Sequence, residues 1–216
     1  MQKNTSHPFF LPLLFLLSLH SISALNLNPM PSVDFIPNPG SDFIRTSCNA
    51  TVYPDLCYAS LKGYSSSVQE DPSLLACVAI GVSLKKTKAM AAYVANLNRE
   101  ADYNSDPRAS SALYDCQSNF GHAVDEIHGS LKQMRHLLAA GGSKESLRFL
   151  MSNVQKWMSA ALTDQETCTD RFDDVADGPV KADVVDRAAY VKKLTSNALA
   201  LFNSFVEKCW GKRTHC

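Results

Sequence analysis

Residues 106–142 read DPRASSALYDCQSNFGHAVDEIHGSLKQMRHLLAAGG. Apolar or thiol side chains recur at Leu113, Cys116, Phe120, Val124, Ile127, Leu131, Met134 and Leu138. Every spacing is three or four residues, which puts them on one stripe of a single long helix. Asp106 supplies a cap and Pro107 the first helical position. Gly141-Gly142 closes the element, as a C-terminal glycine does. Most of the stability of such a helix comes from burying its apolar stripe, so the stripe needs partners.

The flanking sequence supplies them. Asp71-Pro72 repeats the start signal and predicts a helix to about Asn98, with Leu75, Val78, Val82, Ala89, Tyr93 and Leu97 on one face. After the glycine pair, Ser143 caps a third helix whose stripe is Leu147, Leu150, Val154, Trp157 or Met158, and Ala161. A turn around Asp173–Pro179 leads to a fourth helix from about Asp183 to Lys208. That helix points Val184, Ala188, Val191, Leu194, Ala198, Leu201 and Phe205 inward. Upstream, residues 42–63 hold two short helical pieces joined at Tyr53-Pro54, where proline disfavours helix before it. No strand-like alternation of any length appears. The reading is all-α: an up-down-up-down four-helix bundle preceded by a short α-hairpin, each long helix ~37 Å at ~1.5 Å per residue.

Composition narrows the function. The chain has 216 residues, with 21 Lys+Arg against 21 Asp+Glu. Zero net charge argues against a nucleic-acid binder, which needs a basic field. Ample apolar content with few charges argues against disorder. At the N-terminus, Lys3 precedes the apolar run Phe9 to Leu19, and small residues follow in Ser21-Ile22-Ser23-Ala24. This is the layout of a secretory signal peptide over residues 1–24. The run is about half the ~20 residues that a spanning helix needs. Its removal predicts a nearly neutral, secreted chain with no membrane association. Residues 25–41 carry Pro29, Pro31, Pro37, Pro39 and Gly40 and read as an extended N-terminal linker. The domain proper is assigned to residues 42–209, with a tail at 210–216. Asn49-Ala50-Thr51 is an N-glycosylation sequon, open to use in a secreted chain, although the neighbouring Cys48 gives it a reason to stay bare.

Secretion permits disulfides among the seven cysteines, and an odd number leaves at least one without an internal partner. Cys48 and Cys57 bracket the Tyr53-Pro54 turn, so a local bridge would pin the hairpin. Cys116 and Cys168 lie almost equally far from the Gly141-Gly142 turn. In an antiparallel pair of helices they differ in height by only ~1.5 Å. Cys77 is a worse partner for Cys116, ~16 Å away along the bundle. Cys77, Cys209 and Cys216 stay open, and a buried Cys77 would act as a small apolar residue.

No G-x-S-x-G elbow, phosphate loop, H-E-x-x-H or C-x-x-C is present. His122, Asp125, Glu126 and His128 form one ionisable cluster. A di-metal bundle needs two E-x-x-H elements facing inward, and this cluster lies off the apolar stripe, so it reads as a solvated face. No metal or other cofactor is implied. A stapled helical bundle without a catalytic constellation reads as a binding protein. The competing class is a secreted bundle for a metal or small ligand.

The residues now reached resemble the plant invertase and pectin methylesterase inhibitor family. The resemblance runs from about Ile44 to Lys208. It is carried by Ile44 to Cys57 (IRTSCNATVYPDLC), Ala112 to Cys116 followed by Ala123 to Ile127, Trp157 to Thr163 with Thr167 to Phe172, and Ser196 to Leu199. It implies a four-helix bundle with an α-hairpin, and disulfides Cys48–Cys57 and Cys116–Cys168. Ser159 to Thr163 with Thr167 to Asp170 looks like the pectin methylesterase inhibitor branch. Invertase inhibitors carry Pro-Lys-Phe in the turn after the second helix, where this chain has Ala139 to Lys144 (AAGGSK). By resemblance, the protein is a secreted, apoplastic inhibitor that binds pectin methylesterase 1:1 over its pectin-binding cleft. Ser118, Asn119, His122 and Thr167 match positions near that contact. The family often carries an acid at position 118, tyrosine at 120 and a carboxylate at 122, whereas this chain has Ser118, Phe120 and His122. A histidine there would make binding respond to pH.

Overall fold

The structure is a computed structural model and describes residues 39–101, 106–139 and 143–211. The signal segment 1–24, the linker up to residue 38, the Gly141-Gly142 turn and residues 212–216 lie outside the described residues.

Seven α-helices and a short 3-10 turn make up the described chain. Helix α1 spans Pro39–Cys48 and α2 spans Pro54–Leu61. The 3-10 turn Lys62–Tyr64 and the single-turn helix α3, Ser65–Val68, lead on to α4, Pro72–Glu100. Then come α5, Pro107–Ala139, α6, Lys144–Asp170, and α7, Pro179–Gly211. Helix α1 begins inside the segment read as linker: proline and glycine at 39–40 form its first turn, where proline's fixed φ and missing N–H are tolerated. Helix α7 continues to Gly211, into the first residues of the segment read as a tail. At its start α7 gains a turn over the sequence reading, with Pro179 at the first helical position and Gly178 O accepting from Ala182 N at 3.0 Å.

The three other long helices begin where their caps sit. Asp71 Oδ1 accepts from Ser73 N at 2.6 Å and Leu74 N at 3.3 Å. Asp106 Oδ1 accepts from Ala109 N at 3.0 Å, and Ser143 Oγ from Ser146 N at 3.2 Å. Each bond satisfies an amide that the helix itself leaves unpaired. The chain reaches Asp71 through Gln69 and Glu70 at φ 50° and 59°, two left-handed residues that reverse its direction.

The long helices form a ring in which α4 packs on α5 and α7, and α6 packs on α5 and α7. Their buried residues fall into two apolar clusters. One holds Leu75 to Leu84, Ala123 to Met134, Met151 to Ala161 and Ala198 to Phe202, together with the hairpin. The other holds Met90, Val94, Leu113, Cys116, Phe120, Cys168, Phe172 and Val184 to Val191. Between them lies a buried polar layer of Ser83, Thr87, Gln165 and Thr195, each 0% exposed. Ser83 and Thr195 share a hydroxyl bond of 2.7 Å across α4 and α7. Gln165 Nε2 donates to Thr87 Oγ1 at 3.2 Å, and Thr87 Oγ1 donates to Ser83 O at 2.9 Å.

That layer corrects the stripe expected on α4. The buried face runs through Leu75, Ala76, Ala79, Ile80, Ser83, Leu84, Thr87, Met90 and Val94, while Val78, Val82, Tyr93 and Leu97 are half-buried and Ala89 is exposed. The larger apolar side chains pointed to the wrong edge, because two hydroxyls take core positions by bonding inward. On α5 the stripe stands, except that Ala123 replaces Val124 and Leu138 is 41% exposed. On α6 Met158, not Trp157, is in the core.

Cys48 and Cys57 are bridged, with Cα atoms 5.6 Å apart. Arg45 stacks 3.7 Å over the Tyr58 ring, joining α1 to α2. Asn197 on α7 clamps this hairpin to the bundle. Its Oδ1 accepts from Tyr53 N at 3.1 Å and its Nδ2 donates to Tyr53 O at 2.9 Å. Tyr53 O keeps a second partner, Cys57 N, whereas among the described residues Tyr53 N has none besides Asn197. Asn197→Ala is expected to lower stability by about 2 kcal/mol, two modest bonds plus one stranded amide. Urea unfolding measures the loss, and proteolysis within residues 49–53 reports the loosened hairpin.

Candidate partner-binding face

The four residues expected at a partner contact lie on α5 and α6, which pack against each other. One end of the seam between these helices is closed covalently: Cys116 and Cys168 are bridged with Cα atoms 4.2 Å apart, and both are fully buried. Beside the bridge, Arg171 Nε sits 3.3 Å from Asp115 Oδ2. Both partners are well exposed, so the pair adds little stability but orders two side chains at the rim. Cys209 is also disulfide-bonded, and Cys77 is a half-buried free thiol among the described residues.

The bridge fixes the level of the expected contact residues. Ser118 and Asn119 follow Cys116 on α5, and Thr167 precedes Cys168 on α6, so all three lie within a turn of the tie. His122 is one turn further along α5. Ser118 and His122 are exposed, while Asn119 and Thr167 are half-buried. Thr167 Oγ1 donates to Thr163 O at 2.9 Å, which leaves its oxygen free to accept from a partner.

Further along the seam, Gly129 leaves room for an indole. A Cβ at Gly129 would come within 3.0 Å of Trp157 Cε3. Trp157 therefore lies half-buried against bare α5 backbone.

Between His122 and Gly129 lies a residue that the sequence reading set aside. Glu126 was grouped with His122, Asp125 and His128 as a solvated face. The other three are exposed, but Glu126 is half-buried, and its Oε2 is buried without a hydrogen-bond partner. Desolvation, then the charge and hydrogen bond of Asp164 across the seam, then the charge of Asp125, push its carboxyl up to about 7. The pair meets for a geometric reason. Side chains on a helix lean toward its N-terminus, so in antiparallel α5 and α6 Glu126 and Asp164 lean toward each other. Among the described residues no group of three or more His, Cys, Asp or Glu has the geometry for a metal ion. No described helix is long and apolar enough to cross a membrane.

The sequence profile of the family described as "Plant invertase/pectin methylesterase inhibitor" matches residues 42–201. The chain belongs to that family. Members of the plant invertase/pectin methylesterase inhibitor family are inhibitors, not enzymes. Among its relatives is "21 kDa protein" of Daucus carota, 38% identical over 171 residues, covering 79% of this chain and 86% of that one. "Pectinesterase inhibitor 3" of Arabidopsis thaliana is 36% identical over 170 residues, covering 79% and 82%. "Pectinesterase inhibitor 11" of the same plant is 36% identical over 201 residues, covering 93% and 97%. A crystal structure of a mutant form of a pectin methylesterase inhibitor from Arabidopsis superposes with a TM-score of 0.57 at 18% identity, covering 74% of this chain and 95% of that one. That similarity establishes a shared helical-bundle fold.

Glu126 makes the seam sensitive to pH. The folded chain holds its proton to about pH 7, whereas the ordinary carboxyl value is 4.5. A proton held more tightly in the fold stabilises it most below pH 4.5 and less as pH rises through 7. The melting temperature is expected to fall between pH 5 and 7.5, and Glu126→Gln to flatten that fall. Calorimetric scans of both proteins at matched pH values measure the difference.

Proposed function

We propose that the protein is exported by its first 24 residues and inhibits a pectin methylesterase in the apoplast. It binds 1:1, laying the outer face of α5 and α6 over the enzyme's pectin-binding cleft. The observation that carries this reading is the α5–α6 seam itself: a bridge-held, solvent-facing surface with Ser118, His122, Asn119 and Thr167 grouped at one end. It is supported by 36% identity, along nearly the whole chain, to a relative named as a pectinesterase inhibitor. The rigid backbone under these side chains limits the entropy lost on docking. Zero net charge makes recognition local to that face. The family name also includes invertase, so invertase belongs in the same assay.

A pectin-demethylation assay with added mature protein tests the proposal across pH 5–7.5 against several plant isoforms. Activity should fall in proportion to added protein and reach its floor at one equivalent. Ser118→Arg and His122→Arg should weaken inhibition at least tenfold, about 1.4 kcal/mol, without moving the melting temperature. His122→Ala should alter the pH profile of inhibition. Full enzyme activity at every pH and with every isoform would overturn the reading, and loss of invertase activity instead would reassign the target.

A further inference from the structure

The sequon Asn49-Ala50-Thr51 occupies the turn that leaves α1, directly after the bridged Cys48. Asn49 and Ala50 are exposed, and among the described residues no hydrogen bond engages the Asn49 side-chain amide. Thr51 is the opposite case. It is only 8% exposed, and its Oγ1 donates to Cys48 O at 2.8 Å. Backbone bonds tighten the same turn: Ala50 N donates to Ser47 O at 3.3 Å and Thr51 N to Cys48 O at 2.9 Å. The acceptor amide therefore faces solvent, while the hydroxyl that a glycosyl transferase must read is turned inward and bonded.

We propose that Asn49 carries an N-linked glycan and that it is attached before the Cys48–Cys57 bridge closes. The donor is a lipid-pyrophosphate-linked oligosaccharide. Asn49 Nδ2 forms the bond to the anomeric carbon and loses one proton. The anomeric carbon–oxygen bond to the pyrophosphate breaks, and the lipid pyrophosphate leaves with that electron pair. Recognition requires the amide and the hydroxyl two residues on to be presented together by an extended segment. The finished turn withholds the hydroxyl, so only the open chain is an acceptor. Once attached, the glycan stands on the hairpin, which packs against α7 and α4 and leaves the α5–α6 face uncovered. Modification is thus compatible with binding through that face.

The site depends on export, so the full chain is expressed in plant cells and the secreted protein is mapped by mass spectrometry before and after enzymatic deglycosylation. A glycopeptide containing Asn49 is expected, and Asn49→Gln should remove it. Unmodified Asn49 on all secreted chain overturns the site. A chain that stays in the cell with residues 1–24 attached overturns the export reading and the site with it. The order is tested separately. Unglycosylated mature protein, either oxidised and folded or reduced and alkylated, is incubated with purified oligosaccharyltransferase and its lipid-linked donor. Transfer to the reduced chain should exceed transfer to the oxidised chain at least tenfold. Equal transfer to both forms would show that the closed turn is an acceptor and overturn the order.

Discussion

The Cys116–Cys168 bridge is the constraint on which the functional side of the molecule depends. It closes a loop of 52 residues, and in the chain-entropy picture such a closure destabilises the unfolded state by about 4 kcal/mol. Its structural effect matters as much as its energy. With Cα atoms 4.2 Å apart, two helices are held in contact at one end. Their relative height is then set, and everything along the seam inherits that register, Glu126 with Asp164 and Gly129 with Trp157. A contact face assembled from two helices has defined geometry only if the helices cannot slide.

The rest of the bundle solves the same problem without covalent bonds. The layer of Ser83, Thr87, Gln165 and Thr195 ties α4 to α6 and α7 by directional bonds inside an apolar core. A shift of one helix by a turn would strand those groups away from water, which costs more than any single bond contributes. Gln165 Oε1 already lacks a partner, so the layer stabilises less than it specifies. Asn197 does for the hairpin what the layer does for the bundle, pairing with both polar groups of the Tyr53 backbone.

Sequence was most informative where burial follows size. The stripe on α5 and the positions of the helix starts could be read because large apolar residues and capping side chains sit where local rules place them. The α4 face was misread for the converse reason. Ser83 and Thr87 look like surface residues until a partner hydroxyl and amide, more than seventy residues away, are known to meet them. Glu126 escaped in the same way. Its own helix marks it as one of several charges, and only Asp164 on α6 distinguishes it from its solvated neighbours. A signal was available: antiparallel register and the lean of side chains toward helix N-termini bring these two carboxyls together. Asn197 stood within a family motif, but its role as a clamp needed the fold.

Gly129 and Trp157 give the molecule an optical property. Only two tryptophans are present, and one of them, Trp210, lies far along α7 at the chain's end. The other rests on bare α5 backbone at the seam, near the carboxyl pair. Its emission colour is governed by how much water reaches the indole. The protein thereby carries an intrinsic fluorophore at the junction of the two helices that form its contact face, and separation or covering of that junction becomes a spectral shift that needs no added label.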